Sequence, residues 1–168
     1  MIWGLSTATF TLVHVVISLI GISTGFIVMI GLLTGHRLSG STAVFLASTI
    51  ATSVTGFGFP FDHFEPPHYV GVISLIVLTI ALIARYAFHL DGAWRWIYVI
   101  SAVTALYFNV FVAIVQAFQK IPALKAIAPT QSEPPFVIAQ ATVLVLFIGL
   151  ATAASLRFTG AGIRRATA

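Results

Sequence analysis

Five apolar stretches, each long enough to cross a bilayer, occupy most of this chain: Phe10 to Leu33, Thr42 to Pro60, Tyr69 to His89, Trp96 to Phe118 and Phe136 to Leu156. A helix needs about 20 predominantly apolar residues to span a hydrocarbon core of about 30 Å. Inside that core every backbone N–H and C=O must be paired within the protein, so runs of this length read as helices. Strands of a membrane barrel would be about 9–11 residues long and would alternate polar with apolar, a pattern these runs lack. Only 7% of the 168 residues are charged against 59% hydrophobic, too apolar a balance for packing in water. The expectation is therefore an all-α fold, a polytopic membrane helix bundle with five transmembrane helices at about 10–33, 42–60, 69–89, 96–118 and 136–156. Short connectors leave no space for a separate soluble domain, so residues 1–168 are read as one integral membrane domain.

The first run is read as a retained helix. No Lys or Arg precedes it, and its apolar stretch is longer than that of a signal peptide.

The formal net charge is +4. Its placement along the chain points to topology and not to nucleic acid. Arg37, Arg85, Arg95, Arg157, Arg164 and Arg165 all fall on one side of a five-helix chain, and Lys120 and Lys125 on the other. Loops rich in Lys and Arg stay cytoplasmic. This places the N-terminus outside and the C-terminus in the cytoplasm of a multi-pass protein of the cell membrane, expected to be a bacterial inner membrane. The lipid bilayer is the first partner.

Cysteine is absent. Disulfides, thiolate metal sites, iron–sulfur clusters and covalently attached haem are excluded with it. Any metal or haem would rest on His, carboxylate or amide ligands.

The densest set of such groups lies at the outer face. Asp62, His63, Glu65 and His68 fall within seven residues, and His14 of the first helix lies at nearly the same depth. Imidazole and carboxylate suit Zn, Cu(II), Fe or Mn, so His14, Asp62, His63, Glu65 and His68 are the candidate metal ligands. A b-type haem would take His14 and His68 from two helices at equal depth. His36 and His89, at the opposite ends, are read as interfacial groups. Gln116 and Gln140, amides near the outer surface, close the candidate cofactor site around His14 and His68. Along the first helix His14, Ser18, Gly21 and Gly25 share one face. Small residues let helices approach closely in lipid, so the face is read as a packing seam ahead of a slot for a flat cofactor. Asn109, the deepest strongly polar side chain, is expected to bond between helices.

Tight turns at Thr34–Ser41 and Leu90–Arg95 would join helices 1–2 and 3–4 into two hairpins, and this layout with paired histidines is loosely similar to small four-helix membrane cytochromes. The likeness covers the first four helices, rests on single His positions and carries no functional residue over. Two readings of function follow. In the first, an outer His/Asp/Glu site binds a transition metal ion, a b-type haem or a quinone headgroup in a redox or electron-transfer role. In the second, the chain is a non-catalytic accessory or assembly subunit of a larger membrane complex, or a homo-oligomer, because it has small-residue faces and no complete catalytic set.

Overall fold

The computed structural model describes residues 1–60, 63 and 66–158. Among these residues six α-helices follow one another: α1 (Thr7–Thr34), α2 (Ser39–Gly56), α3 (Pro66–Leu82), α4 (Trp94–Lys120), α5 (Pro122–Ile127) and α6 (Pro134–Arg157). The fold is an all-α bundle, and its long apolar helices suit a polytopic membrane protein.

The ends of these helices follow from local chemistry. Ser6 caps α1 by accepting from the Thr9 N–H at 3.1 Å. At its other end Gly35 turns left-handed (φ 74), which lets the His36 N–H reach the Gly31 carbonyl at 2.8 Å. Proline opens both α5 and α6, where its missing N–H costs nothing. Beyond Leu82, α3 widens into a π-helical turn, Ile83–Ala87. Two consecutive non-glycine residues in the left-handed region follow, His89 (φ 51) and Leu90 (φ 66). Each such residue costs roughly 1–2 kcal/mol, held here by the buried Leu90 and its N–H bond to the Ala84 carbonyl at 3.0 Å.

Among the described residues four helices are long and apolar enough to cross a membrane: Thr7–Thr34, Pro67–Ala87, Trp94–Lys120 and Pro134–Arg157. The remaining expected span, 42–60, is not among them. Its helix α2 has 18 residues and ends at Gly56, about 27 Å at 1.5 Å per residue. It is also rich in Ser and Thr, several of them turned inward (Thr42, Thr49 and Ser53 are buried).

The helices pack in a circuit. α1 lies along α2, α2 meets α3, α3 lies along α4, and α6 leans on α4 and α1. α4 stands at the centre, with Tyr98, Val99, Ala102, Val103, Ala105 and Leu106 buried. Around it gather Val28, Met29 and Leu32 of α1, Phe45 of α2, Leu78 of α3 and Phe147 of α6. α6 contributes least: its buried residues are Gln140, Phe147 and Ala154, one every two turns. Such a narrow seam leaves most of its circumference facing outward.

Candidate functional site

The apolar core fills the half of the bundle near the α1–α2 turn. Toward the opposite end the facing positions shrink to Ser18, Ser53, Gly56, Gly71, Ser74, Ala113 and Ala117, and the helices leave a cavity of about 790 Å³ among α1, α2, α3 and α4. Its deeper wall is apolar (Leu19, Ile22, Phe108, Val112), while His14, Thr52, His68, Asn109, Gln116 and Lys120 supply polar groups. A pocket of this size and lining fits a small amphipathic ligand.

His14 projects from α1 toward α2, and its Nδ1 lies 2.8 Å from Thr55 Oγ1. The Thr55 hydroxyl already donates its proton to the Ala51 carbonyl at 2.7 Å. It therefore accepts from His14, which fixes the Nδ1–H tautomer and leaves Nε2 as a bare acceptor. The imidazole also meets the Phe59 ring edge to face at 5.2 Å.

The other polar groups are mostly bound between or along helices. Asn109 Nδ2 donates to Thr49 Oγ1 at 3.1 Å. The Ser53 and Ser74 hydroxyls lie 3.2 Å apart across α2 and α3. Ser18 donates back to the His14 carbonyl at 2.7 Å. Thr52 differs: its Oγ1 is buried and has no hydrogen-bond partner among the described residues.

The two glycines of the first-helix seam are closed by neighbours and leave no slot. A Cβ on Gly21 would lie 3.2 Å from Ser48 Oγ and Thr49 Oγ1, and one on Gly25 would lie 2.5 Å from Leu106 Cδ1. The packing reading holds at Gly21 and Gly25, while His14 and Ser18 of the same face line the cavity.

The expected ligand set is corrected by the structure. Among the described residues no group of three or more His, Cys, Asp or Glu side chains converges to hold a metal ion. Asp62 and Glu65 lie outside the described residues. His63 is exposed. His14 and His68 both line the cavity, but His14 spends Nδ1 on Thr55 and His68 lies against the Phe57 ring at 5.8 Å. Among the described residues, nearness in sequence did not become convergence in space. The transition-metal and b-type haem readings, and the redox or electron-transfer role built on them (its quinone-headgroup variant included), are withdrawn on this ground.

Of the candidate cofactor residues, His14, His68 and Gln116 share the cavity wall. Gln140 does not join them; it faces α4, donating to the Phe111 carbonyl at 3.2 Å while its Oε1 is buried without a partner among the described residues. Sequence reasoning missed Ser74, Phe59 and Lys120 on this wall. The spacing His68, Gly71, Ser74 is a helical stripe, and that signal was available.

Compared with protein-family models, with curated proteins and with solved structures, the chain matches none.

Proposed function

We propose that this chain is a non-catalytic accessory or assembly subunit of a larger membrane complex. The observation that carries the reading is the uncovered face of α6. Thr142, Val145, Gly149 and Thr152 are exposed along it, and a Cβ added at Gly149 would meet nothing within 4 Å among the described residues. Interfaces between helices in lipid favour small residues, because they let backbones approach closely. The partner is accordingly a transmembrane helix of another subunit.

The state of the cavity supports the same reading. His14, Asn109, Ser53 and Ser74 spend polar groups on bonds between helices, and no metal-ligand set is assembled among the described residues. We propose that its wall of His14, His68 and Gln116 seats an uncharged amphipathic group, with His14 Nε2 accepting.

For the topology we propose five spans in one integral domain, with α2 as the short inner one. The N-terminus then lies outside and the C-terminus in the cytoplasm of a bacterial inner membrane. Arg37 and Arg85 support this by lining one end of the bundle together, while Lys120 lines the cavity at the other end. A reporter fused after Arg157 is expected to be active only in the cytoplasm, and one at Ala128 only outside. Opposite activity at either point would require an even number of spans.

The accessory role is tested by extraction in a mild detergent followed by native electrophoresis and mass spectrometry. A heteromeric band containing this chain is expected. A persistent monomer, or a band built from this chain alone, would count against the reading.

A further inference from the structure

A second, smaller cavity sits at the opposite end of the bundle, about 180 Å³ in volume and lined by Arg37, Ser39, Arg85, Tyr86, His89 and Leu90. It joins two separate parts of the chain. Arg37 and Ser39 come from the turn into α2, and Arg85 with Tyr86 from the π-helical turn that ends α3.

We propose that this cavity binds the phosphate group of an anionic phospholipid, clamped between the guanidiniums of Arg37 and Arg85. The proposal is independent of the accessory-subunit reading and concerns the other end of the molecule.

Three observations carry it. First, two cations face one small space, and neither guanidinium forms an ion pair within 4.0 Å with a carboxylate among the described residues. Asp91 lies near enough to Arg37 to act on it electrostatically but closes no such pair. Partial desolvation, with the like charge of Arg85, holds the Arg37 guanidinium below its ordinary range. An anion between the two would relieve that repulsion.

Second, Arg85 is aimed and not loose. Its Nη2 donates to Ser39 Oγ at 3.3 Å, and its Cζ lies 5.7 Å from the Tyr86 ring centre and 5.4 Å from that of Tyr98. A guanidinium held on aromatic faces keeps its remaining N–H groups in a fixed fork, the geometry that matches phosphate. The π-helical turn and the left-handed His89 and Leu90 shape this rim. Single π-helical turns inside helices are frequent at functional sites.

Third, the depth is right for a lipid headgroup. Phe88 and Trp94 stack at 3.9 Å beside this rim, and Trp96 carries Arg95 over its ring at 5.3 Å. Tryptophan and tyrosine collect at the headgroup level of a bilayer. Basic pockets between membrane helices on the cytoplasmic side are suited to phosphate headgroups.

The test uses the full chain in nanodiscs of mixed phosphatidylglycerol and phosphatidylcholine, with retained lipid read by native mass spectrometry. One phosphatidylglycerol is expected to stay with each chain. Arg37→Gln and Arg85→Gln should each weaken retention about tenfold or more, the loss expected for one charge-assisted hydrogen bond. Arg157→Gln, which removes a charge outside the cavity, should leave retention unchanged. Arg37 is exposed, so its variant reports binding even if Arg85→Gln disturbs packing against Tyr98. Inorganic phosphate titrated into lipid-stripped protein separates the two sources of the group. Phosphatidylglycerol that resists millimolar phosphate assigns the lipid, and displacement assigns free phosphate to the same clamp. Equal retention by wild type, Arg37→Gln and Arg85→Gln would overturn the proposal, as would an equal loss in Arg157→Gln.

Discussion

Asn109 of α4 donates to Thr49 Oγ1 of α2 at 3.1 Å, and the missing side chain of Gly21 on α1 is what lets three helices meet there. A Cβ on Gly21 would come within 3.2 Å of Thr49 Oγ1 and 3.3 Å of Asn109 Nδ2. Thr49 is 0% exposed, so losing its donor leaves a buried hydroxyl short of a partner. Asn109→Leu and Thr49→Val are expected to be coupled in a double-mutant cycle by roughly 0.6–2 kcal/mol, the range for hydrogen bonds between membrane helices. Additive losses in detergent unfolding would show that the pair is not a working bond.

Gly25 and Gly149 form a contrasting pair. A Cβ on Gly25 would lie 2.5 Å from Leu106 and 2.9 Å from Phe45, both only 1% exposed and so unable to give way. Gly25→Ala should cost about 1–3 kcal/mol by overpacking. Gly149→Ala meets open space and should be neutral or gain up to about 1 kcal/mol of helix propensity in the isolated chain. Thermal melts of the two variants in one detergent decide it, and equal shifts would contradict the packing described for α1.

Thr52 carries a hydroxyl that is buried yet unpartnered among the described residues. Replacing it with the near-isosteric valine removes a desolvated polar group. Thr52→Val should therefore raise the melting temperature of ligand-free protein, by a free energy of about 1 kcal/mol or more. A clear loss of stability would mean that the hydroxyl is satisfied in solution.

Glu133 precedes α6 and holds the loop before it, accepting from the Thr130 N–H at 3.1 Å, the Thr130 hydroxyl at 2.8 Å and the Ser132 N–H at 3.1 Å. Desolvation pushes its carboxyl up, but these hydrogen bonds together outweigh it and hold the pKa below the ordinary 4.5. A depressed folded-state pKa stabilises above the unfolded value, and the gain is lost as pH falls through the folded one. Order in the 128–133 loop should thus persist at pH 5 and fail only below about pH 4.5, the ordinary value. Glu133→Gln should flatten that dependence. A carboxyl titrating above 4.5 by NMR would reverse the sign.

The sequence carried the bundle better than the site. Four of the five expected spans correspond to helices α1, α3, α4 and α6, because uninterrupted apolar runs admit few alternatives in lipid. The run 42–60 misled at its end, where Phe57, Gly58, Phe59 and Pro60 are apolar but not helical. Hydropathy counts side chains and does not see where a backbone stops. In the ligand set, Asp62, His63, Glu65 and His68 are near one another along the sequence and His14 matches them in depth, neither of which fixes where side chains point. His14 turns to Thr55 of α2. Their pairing depends on how α1 rolls against α2, which no single helix encodes. The Arg37–Arg85 cavity was equally hidden, since it needs the α1–α2 turn and the π-helical end of α3 side by side.

The accessory-subunit account stands or falls on the outward face of α6. A photoactivatable amino acid placed at Gly149, irradiated in native membranes, tests it without detergent. The account predicts one discrete heteromeric adduct, strongly reduced when Val145 is replaced by Trp on the same face. Lipid adducts alone, or an adduct pattern unchanged by Val145→Trp, would contradict it.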